Sequence, residues 1–359
     1  MREEHDVRLS GLTTMRVGGP AQRLVTVETT DELVDAIRAV DDADEPLLVV
    51  GGGSNLVISD DGFAGSVVRI ATAGITVESS DSHGVATIRV AAGEVWDDVV
   101  VRAVAEGWSG IEALSGIPGC AGATPVQNVG AYGQEVAQTI TQVRVWDRRE
   151  QTVHTFDNAD CGFTYRHSLF KAESRYVVLD VVFQLRLASL SAPVAYADLA
   201  RALDIEVGER VPLEVARAAV LDQRRQRGMV LDSADHDTWS CGSFFTNPIM
   251  SASSYAELQS RAQTRLGAAD RQIVVPRFDT PDGLVKTSAA WLIDRAGFGK
   301  GYGIPGPAAL STKHTLAVTN RGPATAADVI ALAHEIRDGV RDAFGVSLVN
   351  EPVLVGLSL

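Results

Sequence analysis

Cysteine is scarce in this chain. The three present, Cys120, Cys161 and Cys241, are far apart and odd in number, which excludes a disulfide framework and a CxxC-type metal site. The histidines at 5, 83, 154, 167, 236, 314 and 334 are scattered without metal-ligand spacing, so no metal centre is expected. Long apolar runs are missing as well. Those present, such as Leu47–Val50, are only a few residues long and fall far short of the roughly 20 residues a membrane span requires. The opening MREEHDVRLS lacks the apolar core of a secretory leader, so the expected location is the cytoplasm, without membrane insertion. Basic residues are in deficit: 32 Lys and Arg face 46 Asp and Glu, a formal net charge of −14. That balance argues against a nucleic-acid binder, which carries a basic footprint. An anionic small substrate would have to be met by a local cluster of cations. Internal repeats and low-complexity tracts are absent, and nothing implies an obligate protein partner.

What is present is globular sequence long enough, at 359 residues and 45% hydrophobic, for two or three domains. TTDELVDAIRAV predicts a helix with Thr30 as N-cap and Leu33, Ile37 and Val40 on one face. PLLVV then predicts a buried strand that runs into Gly51-Gly52-Gly53-Ser54-Asn55. ATIRVAAG reads as a strand, and EVWDDVVVRAVAEGW as a helix with Trp96, Val99, Val100, Ala103 and Val104 on one side. Residues 110–135 are rich in glycine, proline and small polar residues. Their Ile, Leu and Val content argues for an ordered functional loop rather than disorder. Strands follow at TQVRVWD and RYVVLDVVFQLRL. A helix begins around Val211-Pro212-Leu213 and ends in DQRRQRG, where basic residues suit the helix dipole and Gly228 suits C′. After a polar loop, TSAAWLIDRAG and TAADVIALAHEIRDGVRDAFG predict helices. The chain closes on strand signals in VSLVNEPVLVGLSL.

Strand–GGGSN is an anion-cradling pattern, because glycines admit positive φ and let backbone N–H groups approach a ligand. It is neither a Walker loop nor GxGxxG, and a tight strand-to-turn connection would look the same. The second loop, IPGCAGATPVQNVGAYG, is glycine-rich in its turn, and two such loops in one unit fit a long ligand such as a dinucleotide. With GGGSNL at 51–56 and SGIPGCAGATPVQNVGAYG at 115–133, the chain resembles the UDP-N-acetylenolpyruvoylglucosamine reductase family. TTMRVGGPA at 13–21, YRHSLF at 165–170, CGSFFTNP at 241–248, SAAWLIDRAGFGKG and the final Glu351-Pro352 continue the resemblance in order along nearly the whole chain.

The resemblance implies an α+β architecture: a vanillyl-alcohol-oxidase/PCMH-type FAD-binding fold with an additional α+β substrate-binding domain. The expected FAD-binding region is 1–195, with subdomains at about 1–70 and 71–195. A connector would occupy 196–230 and a substrate-binding domain 231–345, and a strand at 346–359 would return toward the flavin. The implied activity is a flavin-dependent oxidoreductase of peptidoglycan precursor synthesis. NADPH would be the reductant, FAD the cofactor and a UDP-sugar enolpyruvate the substrate. FAD would be held by Gly51, Gly52, Gly53, Ser54, Asn55 and Leu56 and by Gly119, Cys120, Asn128, Gly130 and Ala131. At position 120 the family commonly has serine, and a thiol is the weaker hydrogen-bond donor.

Hydride arriving at the enolpyruvyl β-carbon pushes charge onto the substrate carboxylate and leaves the α-carbon in need of a proton. The resemblance gives the cation's part to Arg166, the proton donor's to Ser243 and an assisting role to Glu351. Each has a plainer reading as well: an ion-pair arginine, a turn serine and an exposed strand end. Tyr132 and Tyr196 would contact substrate, Tyr196 from a loop that resembles the family's first subclass. Arg227, with Arg224 and Arg225, would meet the diphosphate, although a solvated basic helix end looks the same. Asn247 would bind substrate or cap a turn. Two other readings compete: an FAD-dependent oxidase of the same superfamily acting on an alcohol or sugar, and a non-catalytic binding protein that retains only the fold.

Overall fold

The computed structural model describes residues 1–80, 84–267 and 273–359, so His83 lies outside the described residues. The chain forms two compact units that interleave in sequence. The first comprises Met1–Val7, Pro20–Gly53 and Phe63–Val230. The second comprises Arg8–Gly19, Ser54–Gly62 and Leu231–Leu359. Segment 196–230 therefore groups with the first unit, while 8–19 and 54–62 group with the second.

Beside a short two-stranded pair, Gly130–Ala131 with Gln134–Glu135, the first unit contains two larger sheets. In the four-stranded one, Arg2–Arg8, Pro20–Val27, Phe63–Ile70 and Leu47–Val50 lie side by side in that order. Phe63–Ile70 runs parallel to both Pro20–Val27 and Leu47–Val50. The helix Thr30–Asp42 buries Leu33, Ile37 and Val40, the apolar face read from its spacing, together with Ala36. Its N-cap is Thr29 rather than Thr30, because the Thr29 hydroxyl accepts from Glu32 N at 3.2 Å. Two adjacent threonines make that choice invisible to pattern alone.

The larger sheet is antiparallel and runs Thr152–Asp157, Ile140–Asp147, Tyr176–Leu187, Val85–Ala91 and Ile75–Ser80. Trp108–Ser109 also pairs with Tyr176–Leu187. Tyr176–Leu187 is central, and Val177 through Phe183 are buried without a break, Asp180 among them. Arg89 at 2.5 Å and Arg144 at 2.6 Å donate to the Asp180 carboxylate, which satisfies a charge that would otherwise be costly to bury. The helix Trp96–Ala105 turns Trp96, Val99, Val100, Ala103 and Val104 into this core.

The helix Leu213–Gln226 starts directly after Pro212. It ends with Gly228 at φ 67°, whose N–H bonds to Arg225 O, while Met229 N bonds to Arg224 O. This is the left-handed stop anticipated from QRRQRG.

The core of the second unit is the helix Ala326–Phe344, which buries eight side chains. Its first turn is closed by a Thr325–Asp328 capping box. The Asp60 carboxylate also accepts from Ala326 N at 2.8 Å and Ala327 N at 3.0 Å. Ala289–Ala296, capped by Ser288, forms the second expected helix. A further helix, Ala252–Leu266, has no counterpart in the sequence reading. The closing segment contributes one short strand, Val353–Val355, parallel to Leu56–Ile58. Among the described residues no helix is long and apolar enough to cross a membrane.

Candidate active site

Within the first unit the two glycine loops meet backbone to backbone. A Cβ built on Gly52 would lie 2.7 Å from Gly119 Cα, and one on Gly51 would lie 3.5 Å from Cys120 Cβ. Only glycine at 52 permits that approach. Gly119, at φ 120°, needs its own conformational freedom. The second loop is pinned to the start of the helix Trp96–Ala105, with Trp96 N donating to Gly119 O and Ala121 N to Glu94 O. Beyond it, a Cβ on Gly122 would strike Ala92 at 2.5 Å. Burial pushes the Cys120 thiol pKa up, so this sulfur stays protonated and offers little to a ligand.

The YRHS motif clamps the far end of that loop. Ser168 Oγ donates to Val126 O at 2.7 Å, and Lys171 Nζ to Gln127 Oε1 at 3.0 Å. Arg166 directs Nη2 to Gly130 O at 3.0 Å and Nη1 to Asn128 O at 3.5 Å. The Asn128 side chain is used internally: it donates to Glu135 Oε2 and Thr164 O and accepts from Ala137 N. Asn128 at φ 43°, Tyr132 at φ 50° and Arg166 at φ 56° all hold left-handed backbone without being glycine. Such conformations cost energy and concentrate where a site demands them.

The predicted substrate residues of this unit converge. Arg227 Nη1 donates to the Tyr132 hydroxyl at 3.0 Å, and its Nη2 pairs with Asp198 Oδ2 at 3.3 Å. Tyr132 and Tyr196 meet edge to face, with centroids 5.7 Å apart. A Cβ on Gly133 would touch Ala195 Cβ at 3.0 Å, so the segment bearing Tyr196 lies against Tyr132-Gly133. Arg224 is occupied elsewhere: it donates to Met229 O at 2.7 Å and Gly116 O at 3.4 Å. Burial draws its pKa down to about 10, which still leaves it cationic at neutral pH. Arg225 is exposed, as the solvated helix-end reading has it.

In the second unit, CGSFFTNP separates its two nearby serines by role. Ser240 does the turn's work: its Oγ accepts from Gly242 N at 3.1 Å and its carbonyl accepts from Thr14 Oγ1 at 2.7 Å. Ser243 is half-buried, and its hydroxyl makes no hydrogen bond among the described residues. Phe244 and Phe245 are core residues, 0% and 1% exposed. They anchor the motif through Phe244 N to Leu316 O at 2.8 Å. Glu351 N donates to Phe244 O at 2.9 Å, and Asn55 Nδ2 donates to Glu351 O at 3.4 Å. Glu351 thus sits beside the residue next to Ser243 and beside the last residue of GGGSN. Leu56 lies in the strand paired with Val353. Asn247 Oδ1 accepts from Ala289 N at 3.0 Å, the capping arrangement of its two readings.

Some contacts had no sequence signal. Arg16 lies over the Trp239 ring at 3.8 Å, and Asn320 Nδ2 holds the carbonyls of Met15 and Arg16. These bonds tie TTMRVGG to the stretch before Ser243. Asp147, Glu150 and His154 come within 4.8 Å of one another, which histidine spacing did not suggest. Arg175 already bonds both carboxylates there and holds the Asp147 pKa down to about 2, so that position is filled by a guanidinium.

Comparison with known proteins places this geometry. An FAD binding domain model matches residues 21–156, and the model of the UDP-N-acetylenolpyruvoylglucosamine reductase C-terminal domain matches 233–355. A reductase of that name from Streptomyces avermitilis is 57% identical over 361 aligned residues, covering 100% of this chain and 96% of its own. One from Thermobifida fusca is 54% identical and covers 99% and 98%. The solved structure of the Thermus caldophilus enzyme superimposes with a TM-score of 0.65 at 26% identity, over 99% of each chain. The fold is accordingly the α+β FAD-binding type with an added α+β domain. The chain belongs to the UDP-N-acetylenolpyruvoylglucosamine reductase family.

Proposed function

We propose that this protein reduces UDP-N-acetylglucosamine enolpyruvate to UDP-N-acetylmuramate with NADPH and FAD, as a cytoplasmic step of peptidoglycan precursor synthesis that serves cell-wall growth, shape and division. The glycine loops fit the cofactor, since Gly52 leaves no room for a side chain where it meets Gly119, and Gly119 itself holds φ 120°. Gly51, Gly52, Gly53, Gly119, Gly130 and Ala131 would hold it in the first unit. Bound FAD supplies the two-electron redox chemistry between NADPH and substrate.

The chain's own residues supply charge and a proton. Arg166 pairs with the substrate carboxylate and stabilises the charge that builds there. Ser243 gives its hydroxyl proton to the α-carbon, and Glu351 assists the charge balance. Arg227, Tyr132 and Tyr196 take the diphosphate and the sugar, in the manner of the family's first subclass. The observation that carries this reading is the pair of serines: Ser240 satisfies the turn, leaving the half-buried hydroxyl of Ser243 for chemistry.

The test is anaerobic. Protein reduced with NADPH and mixed with UDP-N-acetylglucosamine enolpyruvate should recover its oxidised flavin absorbance without oxygen. A flavin that stays reduced until air is admitted would instead favour the oxidase reading.

Gly52→Ala probes the cradle. Its methyl group would press on Gly119 backbone, an overlap worth about 1–3 kcal/mol. Flavin per polypeptide after purification should fall, while far-ultraviolet circular dichroism stays as in the parent protein. Full flavin occupancy would remove Gly52 from the cofactor site.

A further inference from the structure

Arg227 has a competitor for the anion it is proposed to bind. Its Nη2 faces the Asp198 carboxylate at 3.3 Å, longer than the roughly 2.7–2.9 Å of a strong charge-assisted bond. The Asp198 side chain is 44% exposed, and it also pairs with Arg201 at 3.0 Å. Pairs this open are worth little and exchange readily. Asp198 lies in the first turn of the helix Ala197–Leu203, two residues after Tyr196. The Asp198–Arg227 pair therefore ties the segment bearing Tyr196 to the end of the helix Leu213–Gln226. Arg227 reaches Tyr132 with its other terminal nitrogen, and Tyr132 meets Tyr196. One guanidinium thus holds both sides of this cluster together, and one of its two bonds goes to a group of the same charge as a diphosphate.

We infer that Asp198 is a latch: its carboxylate holds Arg227 and the Tyr196 segment while the nucleoside diphosphate is away, and it must release Arg227 when the diphosphate arrives. This rests on the proposed role of Arg227. Asp198 sets affinity by opposing it. Removing its charge frees the guanidinium for the incoming phosphates. A residue of merely structural value would weaken binding when replaced, whereas a latch strengthens it.

The experiment is calorimetric titration of the FAD-loaded protein with UDP as the probe. Asp198→Asn should bind UDP about threefold more tightly than the parent, the size of one exposed ion pair. Asp198→Glu should restore near-parental affinity. Arg227→Gln should bind UDP more weakly, and in the Arg227→Gln background Asp198→Asn should give no further gain. Unchanged or weaker UDP binding by Asp198→Asn, alongside a weakened Arg227→Gln protein, would overturn the latch alone. Parental affinity in Arg227→Gln would take Arg227 off the diphosphate and overturn both readings.

Discussion

A Ser243→Ala protein should reduce normally with NADPH and then return those electrons to the enolpyruvyl sugar about 10²–10⁴-fold more slowly, the range for loss of a positioned proton donor. The split follows from geometry. Ser243 Oγ has no hydrogen bond to the protein among the described residues, so its removal leaves no buried group unsatisfied. Phe244 and Phe245 still anchor the motif through Leu316 O and the second core. Anaerobic stopped-flow measurement of each half-reaction separates the steps. Ser240→Ala is the control: it strips the Gly242 N–H of its acceptor and should cost about 1 kcal/mol of stability without splitting the half-reactions. Equal slowing of both steps in Ser243→Ala would mean that the loop has been damaged. Parental rates in both would leave the proton to come from another group.

The contrast between those two serines shows where sequence stops being informative. Helices with a strong 3.6-residue stripe, such as Thr30–Asp42, Trp96–Ala105 and Ala326–Phe344, were legible because one face is apolar, and the first and last of them also start at a capping threonine. Ala252–Leu266 was not. Its buried face is only Tyr255, Leu258 and Ala262, set among serine, threonine and glutamine, which reads as polar linker. The grouping of 8–19 and 54–62 with residues beyond 230 depends on contacts at long sequence separation, such as Asp60 to Ala326 N, and no local periodicity encodes those. The site divides in the same way. Glycine loops announce themselves through composition. The bond from Glu351 N to Phe244 O joins segments far apart in sequence, and only the ordered motifs of a resemblance pointed to Glu351. Asp198 had neither kind of signal, since a lone aspartate in a helix's first turn is most simply a dipole partner.

Replacing Arg166 with lysine should lower kcat/KM for the enolpyruvyl sugar by about 10²–10³, the scale for losing one preorganised donor to developing charge, again with NADPH reduction unchanged. Charge is conserved in this variant, so the loss tests shape. The guanidinium directs Nη1 and Nη2 at two carbonyls, Asn128 O and Gly130 O. A planar fork can hold that pair and still present an edge to a carboxylate, whereas an ammonium on a flexible stem cannot. The backbone supplies a second, independent readout. At φ 56° a non-glycine residue at 166 is strained, and that strain is explained if the side chain must be aimed by it. Arg166→Gly should therefore relieve the backbone and limit the loss of thermal stability, while substrate reduction collapses further than in Arg166→Lys. An Arg166→Lys protein with parental kcat and KM would show that charge alone suffices, and the fork would then be a clamp on the 126–130 loop rather than part of the chemistry. An Arg166→Gly protein that loses its fold would point the same way, because the two carbonyl bonds would then matter more to the loop than the strained φ costs it.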